Sequence, residues 1–289
     1  VPFLLSERFP SEQEQYAIYR EQLEAFAPKL VTMRTLDIGG DKSLPYFPIN
    51  EDNPFLGWRG VRVTLDHPEI FLAQIRAMLK ANEGLGNLRI LLPMISAIEE
   101  VDESLALIQR CHDEVMAEGY TQEFPPVGAM IEVPSAVWLT DVLAHRLDFL
   151  SVGSNDLTQY LLAVDRTNSR VADMYHGLHP AVLGALAKIC FDARQRSCPV
   201  SICGELAGDP RATPLLIAMG FDQLSMNAAS LPRVKKVLNS VTLTEAKEVL
   251  EQLKGLHSVS QVKHLLDDLM QRRGLERYVR PGQEQERAE

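Results

Sequence analysis

A chain of 289 residues that is 46% apolar and 24% charged carries enough apolar surface for a large core, which excludes disorder throughout. Its length allows either two small domains or one α/β barrel of about 250 residues. The formal charge of −10, from 29 basic and 39 acidic residues, argues against nucleic acid or an anionic membrane as a partner; a small anionic ligand stays open if arginines gather locally.

The chain opens on Val1-Pro2-Phe3-Leu4-Leu5, apolar but very short and without the basic flank of a signal peptide. A first residue that is Val inside an apolar run reads as a cut from a longer protein, with Phe3-Leu4-Leu5 as the stub of a strand. Six apolar, β-rich runs follow, at 30–38, 88–94, 127–133, 148–153, 199–204 and 223–227. They are short and mostly continuous, as strands of a parallel sheet buried on both faces must be. Helical periodicity occupies 66–82, 97–118, 134–146, 157–163, 180–196 and 209–219, and a helical C-terminal region covers 230–239 and 243–271. From about 278 the chain is rich in Gln, Glu and Arg, which predicts a frayed, flexible tail.

Strand and helix alternating without a break predict one α/β domain. No GxGxxG or GxxxxGKS/T loop is present, so a doubly wound nucleotide fold gives way to a TIM (β/α)8 barrel. Six good strands where eight are needed agree with a truncated N-terminus. No run of about 18 apolar residues exists, so no transmembrane helix is expected. Cys111, Cys190, Cys198 and Cys203 form no CxxC pair and no zinc spacing, and a reduced cytoplasmic setting is the simplest reading.

Polar residues gather at the C-terminal ends of the runs, where barrel active sites are built. Arg34 lies in the first, with Asp37 just before Gly39-Gly40. Glu132 ends the third. Asn155 and Asp156 follow the fourth, Cys203 ends the fifth with Glu205 and Asp209 beyond it, and Asn227 ends the sixth. In one barrel these side chains converge on one mouth.

Glu132 and Asp156 are costly to hold charged beside a core unless partnered. They suit a hard divalent cation such as Mg²⁺, which takes one or two carboxylates and fills its other sites with water and phosphate oxygens. They suit helix capping equally, Asp156 standing just before Leu157-Thr158-Gln159-Tyr160-Leu161. Arg34, Arg59 and Arg166 offer guanidinium forks for phosphate or carboxylate, or serve as plain salt bridges. Cys203 is either a small buried hydrophobe or a reactive thiol. No histidine stands at a strand end to activate it as a nucleophile, which favours proton donation.

These segments together resemble the C-terminal domain of enzyme I of the bacterial phosphoenolpyruvate:sugar phosphotransferase system. The likeness is carried by Arg34-Thr35-Leu36-Asp37-Ile38-Gly39-Gly40-Asp41-Lys42, Asn53-Pro54-Phe55-Leu56-Gly57-Trp58-Arg59, Ile131-Glu132-Val133-Pro134, Gly153-Ser154-Asn155-Asp156-Leu157-Thr158-Gln159-Tyr160, Ala163-Val164-Asp165-Arg166 and Cys203-Gly204-Glu205-Leu206-Ala207-Gly208-Asp209. It spans the chain in the family's order to about residue 240. The stretch Gly60-Val61-Arg62-Val63-Thr64-Leu65-Asp66-His67-Pro68-Glu69-Ile70-Phe71 is closer to the nitrogen-related paralogue.

The resemblance implies a (β/α)8 barrel over residues 1–277, lacking the first strand and most of the second, with 278–289 as tail. It implies phosphoenolpyruvate as ligand and Mg²⁺ as cofactor. Arg34, Arg59, Asn155 and Arg166 are implied as substrate-binding residues, and Glu132 and Asp156 as metal ligands. Cys203 is implied as the acid that protonates the enolate carbon to give pyruvate. The family passes the phosphoryl group to a histidine of a separate N-terminal domain, and from there to a histidine phosphocarrier protein. No matching histidine segment is found here, so the fragment is expected not to complete a turnover alone. A cytoplasmic homodimer is implied. Two rival readings stand beside this one: a pyruvate phosphate dikinase or phosphoenolpyruvate synthase of the same superfamily, and a non-catalytic dimerisation and ligand-sensing module.

Overall fold

A computed structural model describes residue 3, residues 7–40, residue 42 and residues 44–279. They fall into two units, one reaching to Ile131 and including Arg146–Phe149, the other made of Glu132–His145 and the chain from Leu150 onward.

The first unit runs α1 (Glu12–Phe26), β1 (Val31–Arg34), α2 (Val61–Asp66), α3 (Pro68–Asn82), β2 (Leu88–Leu92), α4 (Ile98–Ala117) and β3 (Val127–Ile131). Its strands are parallel and lie in sequence order, Met33 opposite Ile90 in one pair and Leu91 opposite Gly128 in the next. Helix α1 is absent from the periodicity reading because it buries only Gln15, Tyr19 and Leu23, a face with a single aliphatic residue. Its start is nonetheless written in the sequence as a capping box. The Glu14 N–H donates to Ser11 Oγ at 3.3 Å, and the Ser11 N–H donates to the Glu14 carboxylate at 2.7 Å. The helix expected over 66–82 begins at Pro68; Val61–Asp66 is a separate helix. His67 between them leaves the helical region, and the proline has no N–H to continue the ladder.

A chain of buried hydrogen bonds ties α1 and α3 to the segment after β1. Tyr19 Oη donates to Gln15 Oε1 at 3.1 Å and accepts from Gln74 Nε2 at 3.0 Å, while Gln74 Oε1 accepts from the Leu36 N–H at 2.9 Å. Burial pushes the Tyr19 hydroxyl up to about 12, so it stays a neutral donor. Strand β1 ends at Arg34 and not at Ile38 as expected: the Thr35 N–H still donates to the Leu91 carbonyl, but the Leu36 N–H turns to the Gln74 side chain and leaves the ladder. Phe3 is buried with Leu36, Ile38, Leu44 and Val63; Leu4 and Leu5 of the expected stub lie outside the described residues.

The second unit runs α5 (Pro134–Trp138), α6 (Thr140–Arg146), β4 (Phe149–Gly153), α7 (Ser154–Leu162), α8 (Pro180–Gln195), β5 (Val200–Cys203), α9 (Thr213–Met219), β6 (Gln223–Leu224), α10 (Leu231–Leu238), α11 (Leu243–Leu253), α12 (Val259–Arg272) and α13 (Glu276–Val279). Strand β5 pairs in parallel with β4 and with β6, again in sequence order. The expected helix at 134–146 is two helices, and so is the stretch at 243–271. Helices α11 and α12 carry their own capping boxes, Thr242 with Glu245 and Ser258 with Gln261. Tyr278 and Val279, expected in the tail, close α13; residues 280–289 lie outside the described residues. Among the described residues no helix is long and apolar enough to cross a membrane.

In each unit parallel strands succeed one another in chain order with helices between them. A doubly wound sheet reverses its order at a switch point; unreversed order is that of the (β/α)8-barrel type, as the sequence predicts.

Candidate functional site

In the first unit the chain gathers cations around one carboxylate. The Asp37 side chain is fully buried. Arg59 Nε lies 3.2 Å from its Oδ1 and Arg34 Nη1 lies 3.4 Å from its Oδ2, which also accepts from Lys42 Nζ. Arg59 is itself fully buried, whereas Arg34 and Lys42 keep 38% and 28% of their side chains exposed. Gly39 makes this approach possible. A Cβ there would sit 2.4 Å from the Trp58 carbonyl oxygen and 3.0 Å from Arg59 Cα, and the Gly60 N–H donates to the Ile38 carbonyl at 3.1 Å. Burial drives the Asp37 carboxyl upward, but the charges of Arg59, Lys42 and Arg34 outweigh it and hold the group below its ordinary range. Three cations around one carboxylate leave an excess of two positive charges. Arg34, Asp37 and Lys42 line a cavity of about 440 Å³.

In the second unit the site grows from the register of β4 and β5, which sets Gly153 beside Cys203. Ser154 Oγ donates to the Cys203 carbonyl at 2.6 Å, and Cys203 Sγ donates to the Val152 carbonyl at 3.4 Å. Asn155 Oδ1 accepts from the Glu205 N–H at 3.0 Å, and Tyr175 Oη donates to the Asn155 carbonyl at 3.1 Å. Gly204 has φ +96°, and a Cβ there would lie 2.4 Å from Ser154 Oγ and 2.8 Å from Asn155 Oδ1. Asn155 and Cys203 line one cavity of about 590 Å³ with Glu205, Asp209, Arg211 and Asn227. Asn227 reaches it from the loop beyond β6, not from the strand end expected, because β6 stops at Leu224.

Asp156 does not cap its helix. Helix α7 starts at Ser154 with Gly153 as its N-cap, so Asp156 falls in the first turn, where the helix dipole favours an anion. Its Oδ1 lies 3.9 Å from Arg166 Nη2, so Arg166 pairs with this acid across the end of α7. The Arg166 N–H donates to Gln159 Oε1 at 3.3 Å. Glu132, directly after β3, is completely buried. Burial pushes the Tyr175 phenol up while neighbouring Arg166 opposes that shift. Cys203 is half-buried. Cys111 and Cys190 are buried and pushed up to about 12 by that burial, as befits structural thiols.

The structure thus brings Arg34 and Arg59 together, Asn155 and Cys203 together, and Asp156 and Arg166 together. Sequence reasoning missed Lys42, the part played by Asp37, and Tyr175. The clustering of Asp37 with Arg34 three residues earlier and Lys42 five later was the available signal; Arg59, 22 residues on, gave none.

Parallel β/α units with polar side chains gathered at their strand ends define a domain of the (β/α)-barrel class. Its residues 1–243 match the family of PEP-utilising enzymes, PEP-binding domain, and the chain belongs to that family. It is 50% identical over 283 residues to the Salmonella typhimurium (strain LT2) protein named Phosphoenolpyruvate-dependent phosphotransferase system, a match that covers 98% of this chain and 38% of that one. It is 41% identical over 270 residues to the Phosphoenolpyruvate-protein phosphotransferase of Haemophilus influenzae, covering 93% of this chain and 47% of that one. The chain therefore spans less than half the length of either relative. Among solved structures, Haloferax volcanii malate synthase in a pyruvate/acetyl-CoA ternary complex aligns over 93% of this chain and 68% of its own, with a TM-score of 0.52 at 13% identity, a likeness of fold alone.

Proposed function

We propose that this chain is the phosphoenolpyruvate-binding part of a phosphoenolpyruvate-protein phosphotransferase. The observation that carries this reading is the Asp37 cluster, an excess of positive charge beside a 440 Å³ cavity in a chain of net charge −10. Such an excess fits a ligand bearing both a phosphate and a carboxylate. Arg34, Arg59, Asn155 and Arg166 are the residues proposed to bind those groups. With Asn155 Oδ1 held by the Glu205 N–H, the amide Nδ2 is the end that offers donors to a phosphate.

Mg²⁺ fits the donor set. Glu132, completely buried directly after β3, and Asp156, in the first turn of α7, would supply hard carboxylate oxygens. A cation that needs one or two carboxylates and takes its remaining oxygens from water and phosphate suits that pair. When bound, Mg²⁺ neutralises charge on the phosphate oxygens.

The residues divide the work as follows. The cations hold the phosphoryl group while its bond to the enol oxygen breaks and a bond to an acceptor histidine nitrogen forms. Cys203 Sγ gives a proton to the methylene carbon of the enolate that leaves, and pyruvate departs; the thiolate regains a proton from solvent. The acceptor histidine would belong to an N-terminal domain and pass its phosphoryl group to a histidine phosphocarrier protein. A cytoplasmic homodimer is part of the same reading, as is a barrel over residues 1–277 completed by N-terminal strands. The 50% relative is covered to 38% of its length and the 41% relative to 47%. Within this reading, the likeness of residues 60–71 favours the nitrogen-related branch.

Calorimetric titration with phosphoenolpyruvate and Mg²⁺ tests this. Saturable heat that needs Mg²⁺ is expected. No heat change for the intact domain, with its N-terminal strands restored, would favour a non-catalytic dimerisation and ligand-sensing module.

A further inference from the structure

We infer that Asp37 is a positioning residue for the phosphoenolpyruvate site: its carboxylate fixes the directions of Arg34 and Lys42, and it anchors them to the buried guanidinium of Arg59. The inference deepens the functional reading above and rests on it. Three observations support it.

Asp37 shares its two oxygens among all three cations, Oδ1 with Arg59 and Oδ2 with Arg34, Lys42 and Arg59 Nη2 at 3.4 Å. It is also held from behind. Leu36 is pinned by Gln74, and Ile38 accepts from Gly60, so the backbone on both sides of Asp37 is tied to α3 and to the segment that carries Arg59. The cations differ in exposure, since Arg59 is sealed while Arg34 and Lys42 retain surface and line the same cavity as Asp37. A long, mobile cationic side chain loses rotamer entropy when a ligand must order it. Asp37 orders two of them beforehand.

Electrostatics alone predicts the opposite outcome. A carboxylate beside an anion site repels the ligand, so removing its charge should tighten binding. Positioning predicts weaker binding. The sign of the change therefore separates the two accounts.

The test is a double-mutant cycle on the full chain, with phosphoenolpyruvate affinity measured by calorimetry at fixed Mg²⁺ below the melting midpoint of every variant. The substitutions are Asp37→Asn, Arg34→Gln and both together. Asp37→Asn should weaken binding about tenfold or more. The double variant should bind no more than about threefold worse than the weaker single variant, because Asp37 acts through Arg34. Losses that multiply, or tighter binding by Asp37→Asn, overturn the inference. If Asp37→Asn does not fold, Asp37→Glu, which moves the charge by one methylene, enters the same cycle with the same expectations. An unmutated chain that binds no phosphoenolpyruvate removes the functional reading and this inference with it. Binding by the unmutated chain with multiplicative losses removes this inference alone.

Discussion

Gly204 shows how closely one residue can constrain a site. Its φ is +96°, and a Cβ would lie only 2.4 Å from Ser154 Oγ, which leaves no room for a side chain. Gly204→Ala should cost more than about 1 kcal/mol of stability, read as a lowered urea midpoint; an unchanged midpoint contradicts the geometry. Its neighbour Cys203 carries a different prediction. In a preparation containing the phosphoacceptor histidine, Cys203→Ala should keep phosphoenolpyruvate affinity within about twofold while pyruvate formation slows about a hundredfold or more. A normal rate would remove the thiol from the proton transfer. Asp37 adds a pH dependence. Its folded pKa lies below its unfolded one, so the unfolded chain takes up the proton first. The stabilisation is complete above the unfolded value of about 3.9 and is lost as pH falls through the folded value. Urea unfolding from pH 6 downward should therefore show the unmutated chain losing more stability below about pH 4 than Asp37→Asn loses. Parallel curves would mean that the ionisation of Asp37 contributes nothing to folding.

At the scale of elements, the strands were the legible part. Runs such as Leu88-Arg89-Ile90-Leu91-Leu92 and Val127-Gly128-Ala129-Met130-Ile131 are continuous because both faces of those strands are buried, and they match β2 and β3 at their starts. Helix breaks were less legible. The short helix Val61–Asp66, just before the pattern read over 66–82, was missed, and Ser258 caps a new helix where the apolar stripe continues. Helix α1 was hidden because its buried face uses Gln15 and Tyr19 beside a single leucine. That same polar face gives a test. Tyr19→Phe leaves a buried acceptor on Gln15 and a buried donor on Gln74 without their shared hydroxyl, which should cost about 1–3 kcal/mol in urea denaturation. Because Gln74 also holds Leu36, the variant should bind phosphoenolpyruvate more weakly too. Loss of neither stability nor affinity would show that the hydrogen-bond chain is idle.

At the scale of the molecule, the strand-end positions of the candidate site residues were legible. Arg34, Glu132, Asn155, Asp156 and Cys203 all stand at or just after strand ends, where a parallel β/α chain collects its chemistry. Their pairing was not legible, because it depends on contacts between segments far apart in sequence, such as Arg59 with Asp37 and Asn155 with Glu205. The central claim is that phosphoenolpyruvate binds beside the Cys203 thiol. Cys203 is half-buried and lines a cavity, while Cys111, Cys190 and Cys198 are buried, so a thiol-alkylating reagent should label Cys203 first. The most direct measurement is the rate of that labelling with and without phosphoenolpyruvate and Mg²⁺. The prediction is that the ligand slows Cys203 alkylation and that Asn155→Ala, in the same cavity, weakens the protection. An alkylation rate unchanged at saturating phosphoenolpyruvate would contradict it.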